Sequence, residues 1–313
     1  MDLFKGKPKP ERHDRGGGSG RNRGRDSSRI IKEKNYFFIE KKDLPFIKLD
    51  TLPADNKKYF GKLFLDILAL QDLFIGSGHI ETRGNNLYDD FSYTHLNRGR
   101  KTPTIPGSSL KGTILTNLSL FLSTASTAFF GSRDGASSVY FSDLPITNNP
   151  ELSPKTIAAR FGPRINPDYA AVKLYLKEDE AYSKLSDQEF NDLPAKEKIL
   201  TIKKGSRFSG TINFKELSEY ELLFLIMALG CLKNHRFNFK LGGAKNRAMG
   251  LIQLQVKKDQ SYWSENLEAI IRSRTRPFAE LENRLEAAIT KIKGKYSSVE
   301  PMLKRIREEY GHE

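Results

Sequence analysis

Two segments that lie far apart in the sequence carry residue types suited to binding an anion. The first is Ile105-Pro-Gly-Ser-Ser-Leu-Lys-Gly112, in which a Pro-Gly turn precedes apolar residues at helical spacing. We expect a helix to begin at Ser108 or Ser109, either of which can act as its cap. The first amides of a helix lack intrahelical partners and carry the positive end of its dipole, and Lys111 adds a cation. The segment suits a phosphate group, although an ordinary capped helix has the same pattern.

The second segment is Gly242-Gly-Ala-Lys-Asn-Arg-Ala-Met-Gly250, which is both glycine-rich and basic. Glycines let the backbone approach a ligand closely, and lysine, asparagine and arginine offer donors for phosphate or base edges. The spacing is not a nucleotide-binding fingerprint, because neither Gly-x-Gly-x-x-Gly nor Gly-Lys-Ser/Thr is present. RNA binding is our interpretation, and a plain glycine-containing hairpin is the alternative. The candidate contacts are Gly242, Gly243, Lys245, Asn246 and Arg247.

The charge of the chain agrees with a polyanionic partner. The formal net charge is +14, and the excess is spread along the chain. Residues 1–34 hold eleven Lys or Arg against five Asp or Glu, and residues 257–313 hold twelve against ten. The stretch 35–256 therefore carries a surplus of +6, as a folded RNA-binding region or a solvated basic surface would.

The amino-terminal segment and the single cysteine suggest the compartment. Residues 1–34 are rich in arginine and glycine and poor in large apolar residues, so we expect them to be disordered. Such a tail binds single-stranded RNA loosely or simply keeps the protein in solution. No signal-peptide core or stretch long enough to span a membrane is apparent, and Cys231 alone cannot form an internal disulfide. We expect a cytoplasmic protein without a membrane partner.

The elements that must position the two segments follow the order strand, helix, strand, strand, helix, strand. This order is typical of an α+β, ferredoxin-like (RRM-like) βαββαβ core. The second helix is predicted by the capping box Ser218-x-x-Glu221. The strands are predicted at 63–70, 138–143, 201–214 (bent near Gly205) and 249–256, the first helix at 108–123, and an accessory strand at 171–176.

The last part of the chain is predicted to be helical. One helix should begin at Pro277, end at Gly294 and place Leu281, Leu285, Ile289 and Ile292 on one face. A second helix should follow the capping box Ser297-x-x-Glu300. We expect this appendage to dock on its own body, with a neighbouring subunit as the alternative.

Five segments occur along the chain in this order: Leu73–Gly78, the helix start at 105–112, Ser137–Asp143, Phe208–Phe214 and the loop at 242–250. Together they resemble the RAMP superfamily (repeat-associated mysterious proteins), the RNA-binding subunits of type III CRISPR effector complexes. They occur in an order typical of the backbone-type members and cover about Tyr59 to Val256. The resemblance implies a guide-RNA-binding subunit in antiviral defence, with target RNA and other effector subunits as partners. Its domains would be a tail at 1–34, a ferredoxin-like RNA-binding domain at 35–258 with an insertion at about 145–200, and a helical appendage at 259–313.

The resemblance also implies an aspartate, between the first strand and the serine-rich helix, that cleaves target RNA with a divalent cation. That stretch, residues 79–104, is expected to be a loop and contains Asp89 and Asp90. Such a pair can hold Mg²⁺ against a phosphate, but the sequence around it, Tyr88-Asp-Asp-Phe91, departs from the family's Gly-x-Asp-Asn. Solvated or turn-forming acids are the alternative. The basic residues there that we expect to contact RNA are Arg98, Arg100 and Lys101.

Two rival functions stay open on the sequence alone. One is a stand-alone endoribonuclease that processes precursor RNA without metal, using His79 or His95 as general acid or base. The other is a non-catalytic scaffold or capping subunit that holds its complex through residues 259–313.

Overall fold

The computed structural model describes residues 36–53, 57–96, 100–131, 136–149, 152–158, 171–177, 186–193 and 196–311. The predicted disordered tail at 1–34 and Arg98 lie outside these ranges.

The strands of the described chain follow one another in this order: β1 (Tyr36–Glu40), β2 (Tyr59–Ala69), β3 (Gly76–Arg83), β4 (Asn86–Phe91), β5 (Tyr93–Leu96), β6 (Arg100–Ile105), β7 (Val139–Phe141), β8 (Leu144–Pro145), β9 (Leu152–Ala158), β10 (Ala171–Tyr175), β11 (Lys196–Ile202), β12 (Arg207–Leu217), β13 (Phe239–Lys240), β14 (Leu251–Val256), β15 (Tyr262–Ser264) and β16 (Arg276–Pro277).

The helices of the described chain are α1 (Gly107–Leu118), α2 (Asp187–Asn191), α3 (Glu219–Ala228), α4 (Leu267–Ile271), α5 (Phe278–Lys295) and α6 (Val299–Tyr310). Short 3₁₀ turns occupy Lys41–Asp43, Leu49–Thr51 and Thr124–Phe130. None of the described helices combines the length and the hydrophobicity needed to span a bilayer.

The central sheet is antiparallel and has the strand order β13-β14-β2-β12-β7, with β15 also paired to β2 and β16 to β15. Its middle strand β2 buries Leu63, Leu65 and Ile67 on one face, as the period of two in a strand requires. This confirms the predicted central strand. Together with the helices it confirms a mixed α+β fold.

Helices α1 and α3 pack against each other, and the side-chain amide of Asn117 donates to the carbonyl of Ala228 at 2.9 Å in the buried contact. The predicted capping box of α3 is confirmed, because the Ser218 hydroxyl accepts from the Glu221 N–H while the Glu221 carboxylate accepts from the Ser218 N–H. Residues 222–228 of α3 are buried on all sides, since α5 also packs against this helix.

Two regions differ from their predicted form. Residues 79–104 were expected to be a loop but form most of β3, all of β4 and β5, and most of β6. The predicted bent strand at 201–214 is two strands, β11 and β12, which belong to different sheets. They are separated by a turn at Gly205, whose φ of +88° favours glycine.

Smaller sheets flank the central one. Strands β3-β4-β11-β9 form a four-stranded sheet in which β4 and β11 are parallel, and β5-β6-β8 form a three-stranded one. The predicted accessory strand is confirmed as β10 and pairs with β1, the first described strand.

The carboxy-terminal helices dock on the body, as expected. Leu281, Leu285, Ile289 and Ile292 are buried within the same hydrophobic core as the central sheet. Two details of the prediction were wrong. Gly294 lies inside α5, which continues to Lys295, and the N-cap of α6 is Ser298, which makes no side-chain cap hydrogen bond. Each of these helix ends lies within two residues of its predicted position.

Candidate nucleic-acid interface

The two anion-binding segments predicted from the sequence meet in space. They face each other across an open cleft of about 380 Å³, and the chain entering β3 contributes a third wall. From the first segment the cleft has Ser108 and Ser109, and from the second it has Gly242, Gly243 and Lys245. The remaining lining residues are Ile75, Gly76, Gly112, Thr113 and Thr116.

Glycine at position 242 allows the close approach that forms this cleft. Gly242 has a φ of +87°, and a Cβ placed on it would lie 2.2 Å from the carbonyl oxygen of Phe74. The next amide, of Gly243, donates to that same carbonyl at 2.8 Å. Any larger residue at 242 would therefore push the basic loop away from the wall of the cleft.

A small hydrophobic cluster, separate from the main core, anchors the loop at 242–250. Ala244 and Met249 of the loop pack with Phe74, with Ile157 of β9 and with Ile199 of β11. The four-stranded sheet thus holds the glycine-rich loop in position against the central sheet. This anchoring is a property of the tertiary structure, because its members are scattered over 175 positions, from 74 to 249.

The start of α1 differs in detail from its prediction. The helix begins at Gly107 with Pro106 as its N-cap and no side-chain cap, so neither Ser108 nor Ser109 caps it. Instead, the Gly107 amide donates to the carboxylate Oδ1 of Asp143 at 2.9 Å. The positive end of the helix already faces one anion, while the serine side chains are left to line the cleft.

Ser108 is exposed and Ser109 and Lys111 are half-buried. Ser109, Thr113 and Thr116 lie at i, i+4 and i+7 and so share one face of α1 toward the cleft. Sequence reasoning missed the two threonines and Gly112, although their helical spacing from Ser109 was a signal that could have found them.

The three polar residues of the basic loop have different environments. Lys245 lines the cleft, and burial, reinforced by the nearby Lys173 ammonium, lowers its pKa to about 8. Arg247 is buried, and its guanidinium donates to the carbonyls of Ala158 and Asn246 at 3.2 and 2.8 Å. The structure therefore gives Arg247 a role in holding the loop to β9. Neither it nor Asn246 lines the cleft.

The predicted contacts on the other side of α1 are only partly described. Lys101 of β6 is exposed, and its ammonium lies 5.2 Å from the centre of the Tyr93 ring. Arg100 begins β6, but its side chain lies outside the described part of the chain, as does all of Arg98. Lys101 does not line the cleft formed by α1 and the loop.

Asp89 and Asp90 are neighbours in strand β4, so their side chains point to opposite faces of the sheet. Asp90 is buried and accepts from its neighbour's amide, that of Phe91, at 2.8 Å. It also accepts from the Tyr93 hydroxyl, whose pKa is raised by burial and then by this carboxylate. Asp89 is half-buried and pairs in register with Ile199 of β11. The two carboxylates do not fit a shared divalent cation, because the strand separates them.

The histidines whose side chains the structure describes, His79 and His235, are not arranged for acid–base chemistry. His79 is exposed in β3, and the His95 side chain is outside the described part of the chain. His235 is buried with its Nε2 atom 2.9 Å from the Lys293 ammonium, and burial followed by that charge lowers its pKa. Among the residues that the structure describes, no three His, Cys, Asp or Glu side chains are grouped to hold a metal ion.

The architecture and the cleft define a class, namely a mixed α+β protein that presents a basic, glycine-lined cleft beside an antiparallel sheet. The chain belongs to the RAMP superfamily, whose sequence profile matches residues 66–253. The match spans more than half of the chain and includes both walls of the cleft. It confirms the resemblance found in the sequence.

Among solved structures, the chain is similar to one from a cryo-electron-microscopy structure of the type III-B Cmr-beta bound to cognate target RNA. The identity is 18%, the TM-score is 0.39, and the similarity covers 63% of this chain and 59% of that one. No curated protein sequence matches this chain.

Proposed function

We propose that this chain is an RNA-binding subunit of a type III CRISPR effector ribonucleoprotein and that it holds guide RNA along the cleft. The observation that carries the proposal is the convergence of the helix start at 105–112 with the loop at 242–250. These segments lie about 130 residues apart in the sequence, yet they face each other within one chain that belongs to the RAMP superfamily.

The chemistry of the cleft suits a phosphate backbone. The hydroxyls of Ser108 and Ser109 and the ammonium of Lys245 are donors, and none of the described residues that line the cleft is acidic. The hydroxyls of Thr113 and Thr116 already donate to the carbonyls of Ser109 and Gly112, at 3.2 and 3.1 Å. Phosphate contacts supply most of the affinity for RNA and carry little sequence information. A subunit that grips phosphates leaves base edges free to pair with a target, as guide RNA requires.

We also propose that the central sheet derives from a ferredoxin-like βαββαβ unit. In chain order, β2, α1, β7, β12, α3 and β14 follow that pattern. In space the four strands run β14-β2-β12-β7, that is 4-1-3-2, and all neighbours are antiparallel. The remaining strands and helices would then be insertions and extensions of this unit.

The test is to purify the protein from its native host and to sequence RNA that survives nuclease treatment. Short RNAs of uniform length with a common 5′ tag are the expected result, and heterogeneous RNA or none would overturn the proposal. A Ser109→Glu variant, with a negative charge in the cleft, should lose this RNA. The matched control is Ser297→Glu, which changes an exposed serine outside the cleft and should retain it.

As a second activity we propose cleavage of target RNA that depends on Asp89. The supporting observation is its place on β4, two residues and about 7 Å from Phe91. Phe91 pairs with Gly76, which lines the cleft. Because Asp90 is used within the fold and the two acids cannot share an ion, we assign no catalytic or metal-binding role to Asp90.

The test of this second activity compares Asp89→Ala with Asp90→Asn in complexes that carry guide RNA. We expect the first to lose target cleavage and the second to retain it when the variant folds. Cutting at every wild-type position by Asp89→Ala would eliminate this activity from the proposal. Adding a chelator to the wild-type reaction tests the need for Mg²⁺ or another divalent cation. Cleavage of repeat RNA by the isolated protein in the presence of chelator would favour a precursor-processing enzyme instead.

A further inference from the structure

A second and larger cavity, of about 590 Å³, adjoins the cleft. The two share Thr113, Thr116 and Lys245, so a chain lying in the cleft can reach the cavity without leaving the surface. The far walls are made by β10, by the start of β13 and by the last residue of α6, Tyr310. Ligand pockets for molecules of nucleotide size span about 300 to 1,000 Å³, so the volume is adequate.

The cavity walls combine lysines with tyrosine rings. Lys173 has its ammonium 4.1 Å from the centre of the Tyr36 ring and 4.4 Å from that of Tyr175. Lys245 lies 5.4 Å from the centre of the same Tyr175 ring. Lys240 also lines the cavity and donates to the Lys245 carbonyl at 3.0 Å. Among the described residues that line the cavity, the charged ones are Lys173, Lys240 and Lys245, and none is acidic, which favours an anion.

We propose that this cavity, which we name the lysine pocket, binds one nucleotide of the RNA held in the cleft. Its phosphate would lie on Lys173 and Lys245 and its base against the Tyr175 ring. Placement of the nucleotide next to the RNA path rests on the proposed function, whereas the recognition of a nucleoside phosphate rests on the pocket itself. Aromatic rings that stack on unpaired bases and ammonium groups that contact phosphates are the usual means of binding single-stranded RNA.

The ammonium groups make the pocket sensitive to pH. Lys245 is faced by Lys173 and Tyr175 from β10, by Lys240 from β13 and by Tyr310 from α6. Burial and then Lys173 lower its pKa to about 8, and a bound phosphate would raise it again. Binding therefore favours the protonated side chain, and affinity should fall as the pH rises through about 8.

The experiment titrates the full-length protein, freed of RNA, with adenosine monophosphate, adenosine and inorganic phosphate in a calorimeter. We expect the monophosphate to bind at least tenfold more tightly than either part alone. Lys173→Ala and Lys245→Ala should each weaken that binding about tenfold, the size of one lost charged contact. The matched control is Lys215→Ala, because Lys215 also lies over a tyrosine, Tyr140, at 5.4 Å but outside the pocket.

Equal affinities for the monophosphate in Lys173→Ala, Lys245→Ala and Lys215→Ala would overturn the proposal, as would equal binding of adenosine and its monophosphate. If Lys245→Ala does not fold, the test relies on Lys173→Gln, which removes the charge of a half-buried side chain and keeps a polar group there. The result is separable from the proposed function. If the protein retains guide RNA but does not bind the monophosphate, the lysine-pocket proposal is wrong and the proposed function stands. If the protein binds the monophosphate but carries no guide RNA, the proposed function is wrong and the lysine-pocket proposal stands.

Discussion

The carboxylate of Asp143 accepts a hydrogen bond from the backbone amide of Gly107 at 2.9 Å, across 36 positions of sequence. Asp143 directly precedes β8, and Gly107 is the first residue of α1. The aspartate therefore supplies the anion that the helix N-terminus attracts and ties the segment after β7 to the helix. The part of the helix start that we propose binds phosphate is therefore the side of its first turns, where Ser109 and the two threonines line the cleft.

The first prediction concerns this contact. Asp143→Ala should lower the free energy of unfolding by roughly 1 kcal/mol, the usual cost of losing an acceptor at a helix N-terminus. Asp143→Asn keeps an acceptor and should lose less. Urea denaturation of both variants measures the difference. If the alanine variant is as stable as the wild type, the contact does not stabilise the helix.

The second prediction compares two glycines of α1. A Cβ at Gly107 would lie 2.5 Å from the carbonyl oxygen of Phe141, whereas a Cβ at Gly112 would meet nothing within 4 Å. Gly107→Ala should therefore destabilise the protein by roughly 2 kcal/mol through steric overlap. Gly112→Ala should stabilise the helix by about 0.5 to 1 kcal/mol, since alanine is the better helix former.

Gly112 also lines the cleft, so its added methyl group should weaken RNA binding while the protein becomes more stable. Thermal unfolding and RNA affinity measured on the same Gly112→Ala sample test this separation. Unchanged RNA affinity would show that RNA does not approach this face of α1.

The third prediction concerns Arg247. Its guanidinium holds two carbonyls from a buried position, so Arg247→Ala should lower stability by about 2 kcal/mol. Arg247→Lys should not restore it, because an ammonium cannot reproduce the planar fork. Urea denaturation measures both variants. Weaker RNA binding by a variant of wild-type stability would instead support the direct RNA contact predicted from the sequence.

The fourth prediction uses the lowered pKa of Lys245, about 8 against its usual 10.5, which burial and then Lys173 produce. As the pH rises, the folded protein releases this proton first, and between about 8 and 10.5 the unfolded chain holds more protons. The stability contributed by this group therefore rises with pH across that interval. In Lys245→Met the contribution should vanish. The free energies of unfolding of wild type and Lys245→Met should be measured at several pH values. We expect the difference between them to be smaller at high pH than at neutral pH. A difference that does not change with pH would contradict the lowered pKa of Lys245.

Several parts of this fold were predictable because their signal is local. The capping box at Ser218 and Glu221, the apolar face of α5 and the nearly continuous apolar run of β2 each depend on residues within a few positions of one another. The resemblance to the RAMP superfamily could be recognised from the sequence for the same reason, because each matching segment carries its own glycines and polar residues.

The region from β3 to β6 was not predictable in this way. Its residues are polar and only intermittently apolar. β3 and β5 pair with their neighbours β4 and β6, and these pairs are completed by β11 and β8 from distant parts of the chain. This pairing put Asp89 and Asp90 on opposite sides of a sheet and buried Asp90 beside Tyr93. A loop could have presented both carboxylates together, but a strand cannot.

The sequence by itself determined the family, the mixed α+β class, the basic character of the chain and the two segments that could hold an anion. Only the tertiary structure decided that these segments face each other. It also decided that Asp143 accepts a hydrogen bond from the first amide of α1 and that Arg247 holds the loop through its hydrogen bonds. The physical reason is that helix caps and periodic apolar faces arise from neighbouring residues. A cleft arises instead from long-range packing, here the approach of Gly242 to Phe74 and the cluster beneath Ala244.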